Sequence, residues 1–394
     1  MNNAKLIGGI MLIIGTSIGA GMLALPVATG AGGFFPSLLL LIICWLIMML
    51  GALLILEVNL WMPPNSNLIS MAGRTLGRPA QAIAWVAYLL LLYALLSAYI
   101  AGGAAITHHW LSMLGLVIPN WVASIIFTVV LGFVVYRGII WVDLVNRGLL
   151  SAKFIFCLLL ILLLLPFIHI NNLLQGHAQR LLGATTVVIT SFGFATIVPS
   201  LRTYFNSDIK KLRLAIIIGS AVPLVFYIAW SLVVQGILPI TGTHSLMAMQ
   251  QSGNVTSQLS DSLSAMTQNS LIDWSANLFT SICILTSFLG VALCLMDFLA
   301  DGFNVPKKHH AVKIAFAALL PPTILVIFIP DLFIKALSYA GICCIILLIL
   351  LPALMAYSGR YVKQIALGYR VKGGKPLLIL LILASIAAIA LDLF

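Results

Sequence analysis

The chain has 394 residues, of which 62% are hydrophobic and 7% are charged, and its mean hydropathy is +1.17. Soluble domains carry roughly 25% charged residues, so water is not the main solvent of this protein. The formal net charge of +11 is compatible with a nucleic-acid-binding protein. The placement of the basic residues along the chain argues against that class of protein. The Cys and His residues show no metal-ligand spacing, and we predict neither a metal site nor a cofactor.

Apolar runs long enough to cross a bilayer recur along the whole chain, and each such helix needs roughly 20 residues. The first run resembles the apolar part of a signal peptide, but no small-residue cleavage site follows it, so we expect it to remain in the mature chain. The eleven predicted spans lie near residues 5–30, 35–62, 80–107, 121–136, 141–168, 183–201, 212–237, 271–299, 312–329, 332–357 and 376–393.

The basic residues predict how the chain is oriented in the membrane. With the N-terminus in the cytoplasm, 17 of the 20 Lys and Arg residues face the cytoplasmic side, as the positive-inside rule requires. Arg180 and Lys335 lie outside, and Lys153 falls within the fifth span. Eleven spans then place the C-terminus on the periplasmic side. The outer loop from Thr241 to Ser270 contains no Lys or Arg, and it fits a cap over an entrance as well as it fits a plain solvated loop.

The first and sixth spans carry matching motifs. Thr16-Ser17-Ile18-Gly19 and Thr190-Ser191-Phe192-Gly193 both lie near the middle of a span, and each is followed by Pro. The motifs are five spans apart, so the second enters the membrane from the opposite side, which is typical of an inverted repeat. We predict a first repeat at residues 1–170 (spans 1–5), a second at 171–358 (spans 6–10), and a cytoplasmic linker with an eleventh span at 359–394.

A helix that breaks at membrane depth creates a site for a ligand. Unwinding leaves backbone N–H and C=O groups without partners, at a cost of several kcal/mol each in hydrocarbon. The positive ends of the half-helices attract a carboxylate, and the freed carbonyl groups accept hydrogen bonds from an ammonium group. A zwitterionic α-amino acid satisfies both. The alternative is that the small residues merely allow close helix packing, and the matching of the two motifs favours the ligand site.

Segments spread over nearly the whole chain share the pattern of one transporter family. They are residues 15–26, Leu56-Glu57-Val58, residues 191–194 with Pro199-Ser200, residues 286–293, residues 297–301, Tyr339-Ala340-Gly341 and residues 369–376. These segments resemble the hydroxy/aromatic amino acid permeases of the amino acid/polyamine/organocation superfamily, and especially the bacterial tyrosine-specific permeases. The resemblance implies a leucine-transporter-like fold with broken spans 1 and 6, a bacterial inner membrane, and proton-driven uptake of an aromatic amino acid. The chain departs from the family at Ala195-Thr196, where these permeases usually have His-Gly.

Ionisable side chains at membrane depth are costly and mark functional sites. Lys153 lies roughly 15 Å along the fifth span, and it resembles a lysine that replaces a coupling sodium ion in related amino-acid transporters of this fold. It either carries the coupling proton or acts as a fixed amine that holds the unwound carbonyls of the first span. Glu57, near the cytoplasmic end of the second span and within reach of water, is a further proton-coupling candidate. So is Asp297, although an ion pair with the basic inner loops also explains that residue.

We predict secondary active transport by alternating access, with the substrate between spans one, three, six and eight and with the lipid bilayer, a proton and an aromatic amino acid as partners. No ATP-binding or hydrolase motif is present, so a pump or an enzyme is unsupported. Tryptophan or broad aromatic specificity, sodium coupling and a non-transporting sensor remain alternatives, and the oligomeric state stays open. The predicted substrate-binding residues are Thr16, Ser17, Ile18, Gly19, Ala20, Gly21, Tyr93, Ser97, Thr190, Ser191, Phe192, Gly193, Phe194, Ser287 and Tyr339.

Overall fold

The protein is helical throughout the residues that the structure describes. The computed structural model describes residues 3–64, 66–252, 255–303, 307–329 and 331–393. Within these ranges, 8 helices are long and apolar enough to cross a membrane, and two bent helix pairs raise the number of spans to 10. Asn120–Tyr136 is a shorter apolar helix, and it coincides with the fourth predicted span. All eleven predicted spans therefore appear as helices.

The helices follow one another with short connections. In the first half of the chain they are α1 (Asn3–Ser17), α2 (Ala20–Gly30), α3 (Phe34–Leu60), α4 (Leu68–Leu76), α5 (Arg78–Met113), α6 (Asn120–Tyr136), α7 (Ile139–Leu164) and α8 (Ile170–Leu173). In the second half they are α9 (Thr185–Ser191), α10 (Val198–Tyr204), α11 (Ile209–Ile237), α12 (Leu246–Ser252), α13 (Val255–Thr267), α14 (Ser270–Gly302), α15 (Lys307–Phe328), α16 (Phe333–Ile345), α17 (Leu351–Tyr357) and α18 (Gly374–Leu393). Two π-helical turns make α16 and α17 parts of one span, Phe333–Val362.

Local side-chain chemistry explains several helix starts. The Asn67 side chain accepts a hydrogen bond from the Ser70 N–H at the start of α4, and Asp208 does the same for Lys211 at the start of α11. Both caps satisfy an N–H group that has no partner within the helix. The Lys211 N–H and ammonium group hold the pKa of Asp208 below its ordinary value.

Helix packing encloses the two breaks. The long helix α5 packs against α6, α14, α15 and α16, while α11 packs against α1 and α3, and α7 packs against α14. The segment between α11 and α14 folds into α12 and α13, which pack on α2, α5 and α14. The segment is therefore a structured part of the bundle and not a plain solvated loop. The midpoints of the first and sixth spans are thereby surrounded by other helices, so their unwound backbone does not face lipid.

Candidate functional site

The first span breaks between Ser17 and Ala20, and the two half-helices meet at an angle of 53°. Groups from opposing helices hold the unwound turn. The Lys153 ammonium of α7 donates to the Ile18 carbonyl at 2.5 Å, and the Ala20 N–H donates to the Ser287 hydroxyl of α14 at 3.0 Å. The backbone groups released by the first break are therefore paired with side chains of other spans, one of which is ionisable.

The sixth span breaks at Phe192, and its halves meet at 40°. Residues 193–197 form a 3₁₀ turn, and Pro199 lies in the first turn of α10, where its missing N–H costs nothing. The Thr190 hydroxyl lies 2.8 Å from the Thr186 carbonyl and 2.9 Å from the Leu337 carbonyl. This break is held mainly by local turns and by α16.

One tyrosine joins the two breaks. The Tyr227 hydroxyl on α11 lies 2.6 Å from the Ser17 carbonyl and 2.8 Å from the Ser191 carbonyl. These serines occupy the same position in the two motifs. Tyr227 is fully buried, and its ring packs edge to face on Phe192 with a centroid distance of 5.1 Å. A single buried hydroxyl thus lies within hydrogen-bond distance of a carbonyl in each broken helix, and its one proton is shared between the two or donated to one of them at a time.

A cavity of about 280 Å³ lies where the breaks face α5, α7 and α14. Its volume is near the lower end of the range for small-molecule sites, roughly 300–1,000 Å³. The lining residues lie mainly in the first halves of α5 and α7 and in the second half of α14. The cavity therefore runs from the breaks toward the end of the bundle where α1 begins.

The cavity gathers six of the 15 predicted substrate-binding residues and one of the three proton-coupling candidates. Those that line it are Thr16, Ile18, Gly19, Lys153, Thr190, Gly193 and Ser287. They come from the first, fifth, sixth and eighth spans, so the structure brings together residues that are up to 271 positions apart in the sequence (287 minus 16).

Five predicted residues, four at the breaks and Ser97 on α5, lie near the site without lining it. The Ser17 and Ser191 hydroxyls donate to carbonyls of their own helices, and Gly21 packs against Ser191. Ala20 acts through its backbone N–H alone. Ser97 is buried and donates to the Tyr93 carbonyl one turn earlier. Hydroxyl groups in apolar helices commonly bond to the preceding turn in this way.

The predicted aromatic contacts need correction. The Tyr93 hydroxyl donates to the Ala317 carbonyl of α15 at 2.6 Å, on another face of α5. Tyr339 is 60% exposed on the outside of the bundle. Phe192 and Phe194 are fully buried in the core rather than on the cavity wall. These residues are at the expected depth, but the rotation of each helix turns them away from the cavity.

The sequence prediction missed two polar residues of the cavity wall, Tyr88 and Asn146. Tyr99, Thr196 and Thr286 also lie on this wall. The two tyrosines are separated by three helical turns, which places them on one face of α5. That spacing was the available signal. Thr196, which stands where the resembling permeases usually have Gly, lies on the wall beside the second break.

Glu57 lies outside the cavity and away from water, which corrects the expectation of an accessible group. It is fully buried, and Arg360 donates to its two carboxylate oxygens at 2.7 and 2.5 Å. The Val371 N–H donates a third hydrogen bond to Glu57 at 2.7 Å. This network ties α3 to the end of the tenth span and to the linker before α18. Asp297 lies on α14 one turn beyond Cys294, past the residues that line the cavity.

A larger groove of about 530 Å³ lies between α6 and α15. Its walls are almost wholly apolar, and many of them, such as Val129, Phe133 and Phe316, are exposed on the outside of the bundle. It offers no charged lining group for a zwitterion. The smaller cavity at the breaks is therefore the candidate site.

Comparison with known proteins agrees with this geometry. The model of the tryptophan/tyrosine permease family matches residues 2–392. The chain belongs to this family. A tyrosine-specific transport system 2 of Haemophilus influenzae is 34% identical, with 97% of this chain and 94% of the relative covered. A tryptophan-specific transport protein of the same organism is 33% identical with the same coverage.

Two further comparisons define the fold and the breadth of the relatives. Glutamine transporter 2 of Aliivibrio fischeri is 30% identical to this permease, with 95% of each chain covered. The crystal structure of MhsT in complex with L-phenylalanine superposes with a TM-score of 0.64 and covers 98% of each chain at 14% identity. The permease is thus a multi-pass membrane protein with a leucine-transporter-like fold.

Proposed function

We propose that this permease imports an aromatic amino acid, preferably tyrosine, by proton symport and alternating access across a bacterial inner membrane. The observation that carries the proposal is the contact between Lys153 and the first break. Lys153 is 1% exposed, its ammonium group donates to the Ile18 carbonyl, and both residues line the cavity. A proton lost from this amine would replace the charge-assisted hydrogen bond that holds the break with a weaker neutral one.

The breaks supply the groups that a zwitterion needs. The helix α2 begins at Ala20 beside the cavity, and a helix N-terminus favours a carboxylate. The carbonyls on the other side of the break suit an ammonium group. Beyond the breaks, the cavity wall carries Leu91, Leu95 and Tyr99, which suit an apolar ring. The names of the tyrosine-specific and tryptophan-specific relatives support the same substrate class.

The pairing of the break carbonyls favours a proton over sodium as the coupling ion. Lys153 donates to the Ile18 carbonyl, and Tyr227 serves the Ser17 and Ser191 carbonyls. A hard cation needs several oxygen ligands, and the Lys153 ammonium group places a positive charge where such an ion would contact the Ile18 carbonyl.

The charge state of Lys153 offers a way to couple proton movement to the site. Among the described residues, no carboxylate lies within ion-pair distance of its ammonium group. A buried ammonium without a carboxylate partner is costly, so protonation would be favoured when the cavity is open to water. Deprotonation after closure would weaken the hydrogen bond to the Ile18 carbonyl and let the first break change shape.

The cavity direction and the basic residues support one orientation. With α1 starting in the cytoplasm, the cavity leads from the breaks toward the cytoplasm, as in an inward-facing state. A labelling reagent that cannot cross the membrane tests this orientation with single cysteines placed near Lys5 and in the segment between α11 and α14.

A neutral polar amino acid is the second candidate substrate, and the glutamine transporter among the relatives favours it. Counterflow with purified protein in liposomes separates the possibilities. We expect labelled tyrosine to exchange with internal tyrosine, and net accumulation to follow an inward proton gradient without sodium. Accumulation that follows sodium and ignores protons would refute the coupling, and exchange of glutamine without any aromatic amino acid would refute the substrate class. Net proton-driven accumulation excludes a non-transporting sensor.

A further inference from the structure

One polar atom on the cavity wall has no partner. The Asn146 side-chain oxygen on α7 is buried and accepts no hydrogen bond from any described residue. Three hydroxyl groups of the same cavity wall are already used, since Thr16, Thr190 and Thr286 each donate to a backbone carbonyl. Buried polar atoms are almost always paired in native proteins, so an unpaired acceptor on a cavity wall calls for a donor on a ligand.

The position of Asn146 matches the far end of an aromatic substrate. Asn146, Leu150 and Lys153 are spaced by four and three residues, so they share one face of α7. Asn146 and Lys153 are about 10 Å apart along the helix axis, which is the scale of an aromatic amino acid from its ammonium group to the distal edge of its ring. The wall between them is apolar, with Leu92 and Leu150 on it. A zwitterion bound at the first break thus has room for its ring in this apolar stretch and meets an acceptor at its end.

We propose that Asn146 is a specificity-determining residue that accepts a hydrogen bond from the distal donor of the substrate ring. The tyrosine hydroxyl and the tryptophan indole N–H are donors of this kind, and phenylalanine has none. A site that hydrogen-bonds a substrate hydroxyl discriminates strongly against the analogue that lacks it, because the acceptor is then buried without a partner. This inference rests on the proposed function, because it assumes an aromatic amino acid in the cavity.

The ratio of tyrosine to phenylalanine uptake tests the proposal. Purified full-length wild-type protein, Asn146→Leu and Leu150→Ala are reconstituted in liposomes, and the kcat/KM for labelled tyrosine and phenylalanine is measured in counterflow. We expect the wild type to favour tyrosine by roughly tenfold or more. Asn146→Leu should lose this preference and keep phenylalanine uptake. The control Leu150→Ala alters the apolar wall but leaves the Asn146 acceptor in place. It should therefore lower kcat/KM for both substrates and retain their ratio.

The outcomes separate this inference from the proposed function. A wild type that transports neither amino acid refutes the aromatic substrate class, and the inference falls with it. A wild type that transports both, with a ratio that Asn146→Leu leaves unchanged, refutes the role of Asn146 alone. For each variant, both kcat/KM values are measured on the same preparation. Their ratio therefore does not depend on the fraction of protein that is folded. If Asn146→Leu gives no uptake, Asn146→Ala is tested by the same ratio.

Discussion

The two broken helices carry the same Thr-Ser-x-Gly motif, yet they are held in different ways. At the first break, the Ile18 carbonyl and the Ala20 N–H are bonded to side chains of α7 and α14. At the second break, a 3₁₀ turn is local, and the contacts with other helices are made by the hydroxyl groups of Thr190, to the Leu337 carbonyl, and of Tyr227, to the Ser191 carbonyl. The first break therefore depends on groups outside its own helix, and one of them, Lys153, can gain or lose a proton. This difference suggests that the first break moves in transport while the second provides a fixed reference.

The largest expected effect comes from removing the amine at the first break. Lys153→Ala leaves the Ile18 carbonyl without its charged donor, an interaction worth about 1.5–3 kcal/mol. We expect proton-driven accumulation to fall at least roughly tenfold, while exchange of labelled substrate persists. Lys335→Ala, a change at an exposed lysine of α16, should leave accumulation unchanged. If Lys153→Ala still concentrates substrate in response to a proton gradient, Lys153 is not the coupling group.

The next effect concerns the tyrosine that serves both breaks. Tyr227→Phe removes one hydroxyl and leaves the Ser17 and Ser191 carbonyls unpaired, at a cost of about 1–3 kcal/mol. We expect substrate affinity to fall by roughly fivefold to a hundredfold, with only a modest loss in melting temperature. Tyr339→Phe provides the matched control, since that side chain is 60% exposed. Unchanged affinity in Tyr227→Phe would mean that the two breaks need no common donor.

The smallest effect compares the two glycines of the motifs directly. A Cβ atom at Gly19 would lie 2.6 Å from the Ser287 hydroxyl oxygen, so Gly19→Ala must displace the group that pairs with the Ala20 N–H. Losing that hydrogen bond costs about 1 kcal/mol, and we expect substrate KM to rise roughly fivefold. At Gly193 the nearest atom would be the Cys344 sulfur at 3.8 Å, an ordinary contact. Gly193→Ala should therefore change KM by less than roughly twofold, and equal effects at both glycines would contradict the asymmetry between the breaks.

Much of the fold and part of the site follow from local sequence properties. Hydropathy predicts the eleven spans because the preference of each side chain for lipid or water is a property of that residue alone and does not depend on tertiary contacts. The motifs that begin at Thr16 and Thr190 locate both breaks. Lys153 is predicted as a functional residue because a charged side chain at membrane depth is energetically costly. Several residues within the motifs line the same cavity because their neighbours in sequence are also their neighbours at the breaks.

The membrane environment and the number of spans follow from the sequence, since both depend on composition and on spacing along single helices. The face that each helix turns toward the cavity is set by tertiary packing, so Tyr88 and Tyr99 line it and Tyr93 does not. Tertiary packing also decided that Glu57 pairs with Arg360, 303 residues away, instead of facing water. The rotation of a helix about its axis and the pairing of distant groups are set by packing against other helices, and no local pattern contains that information.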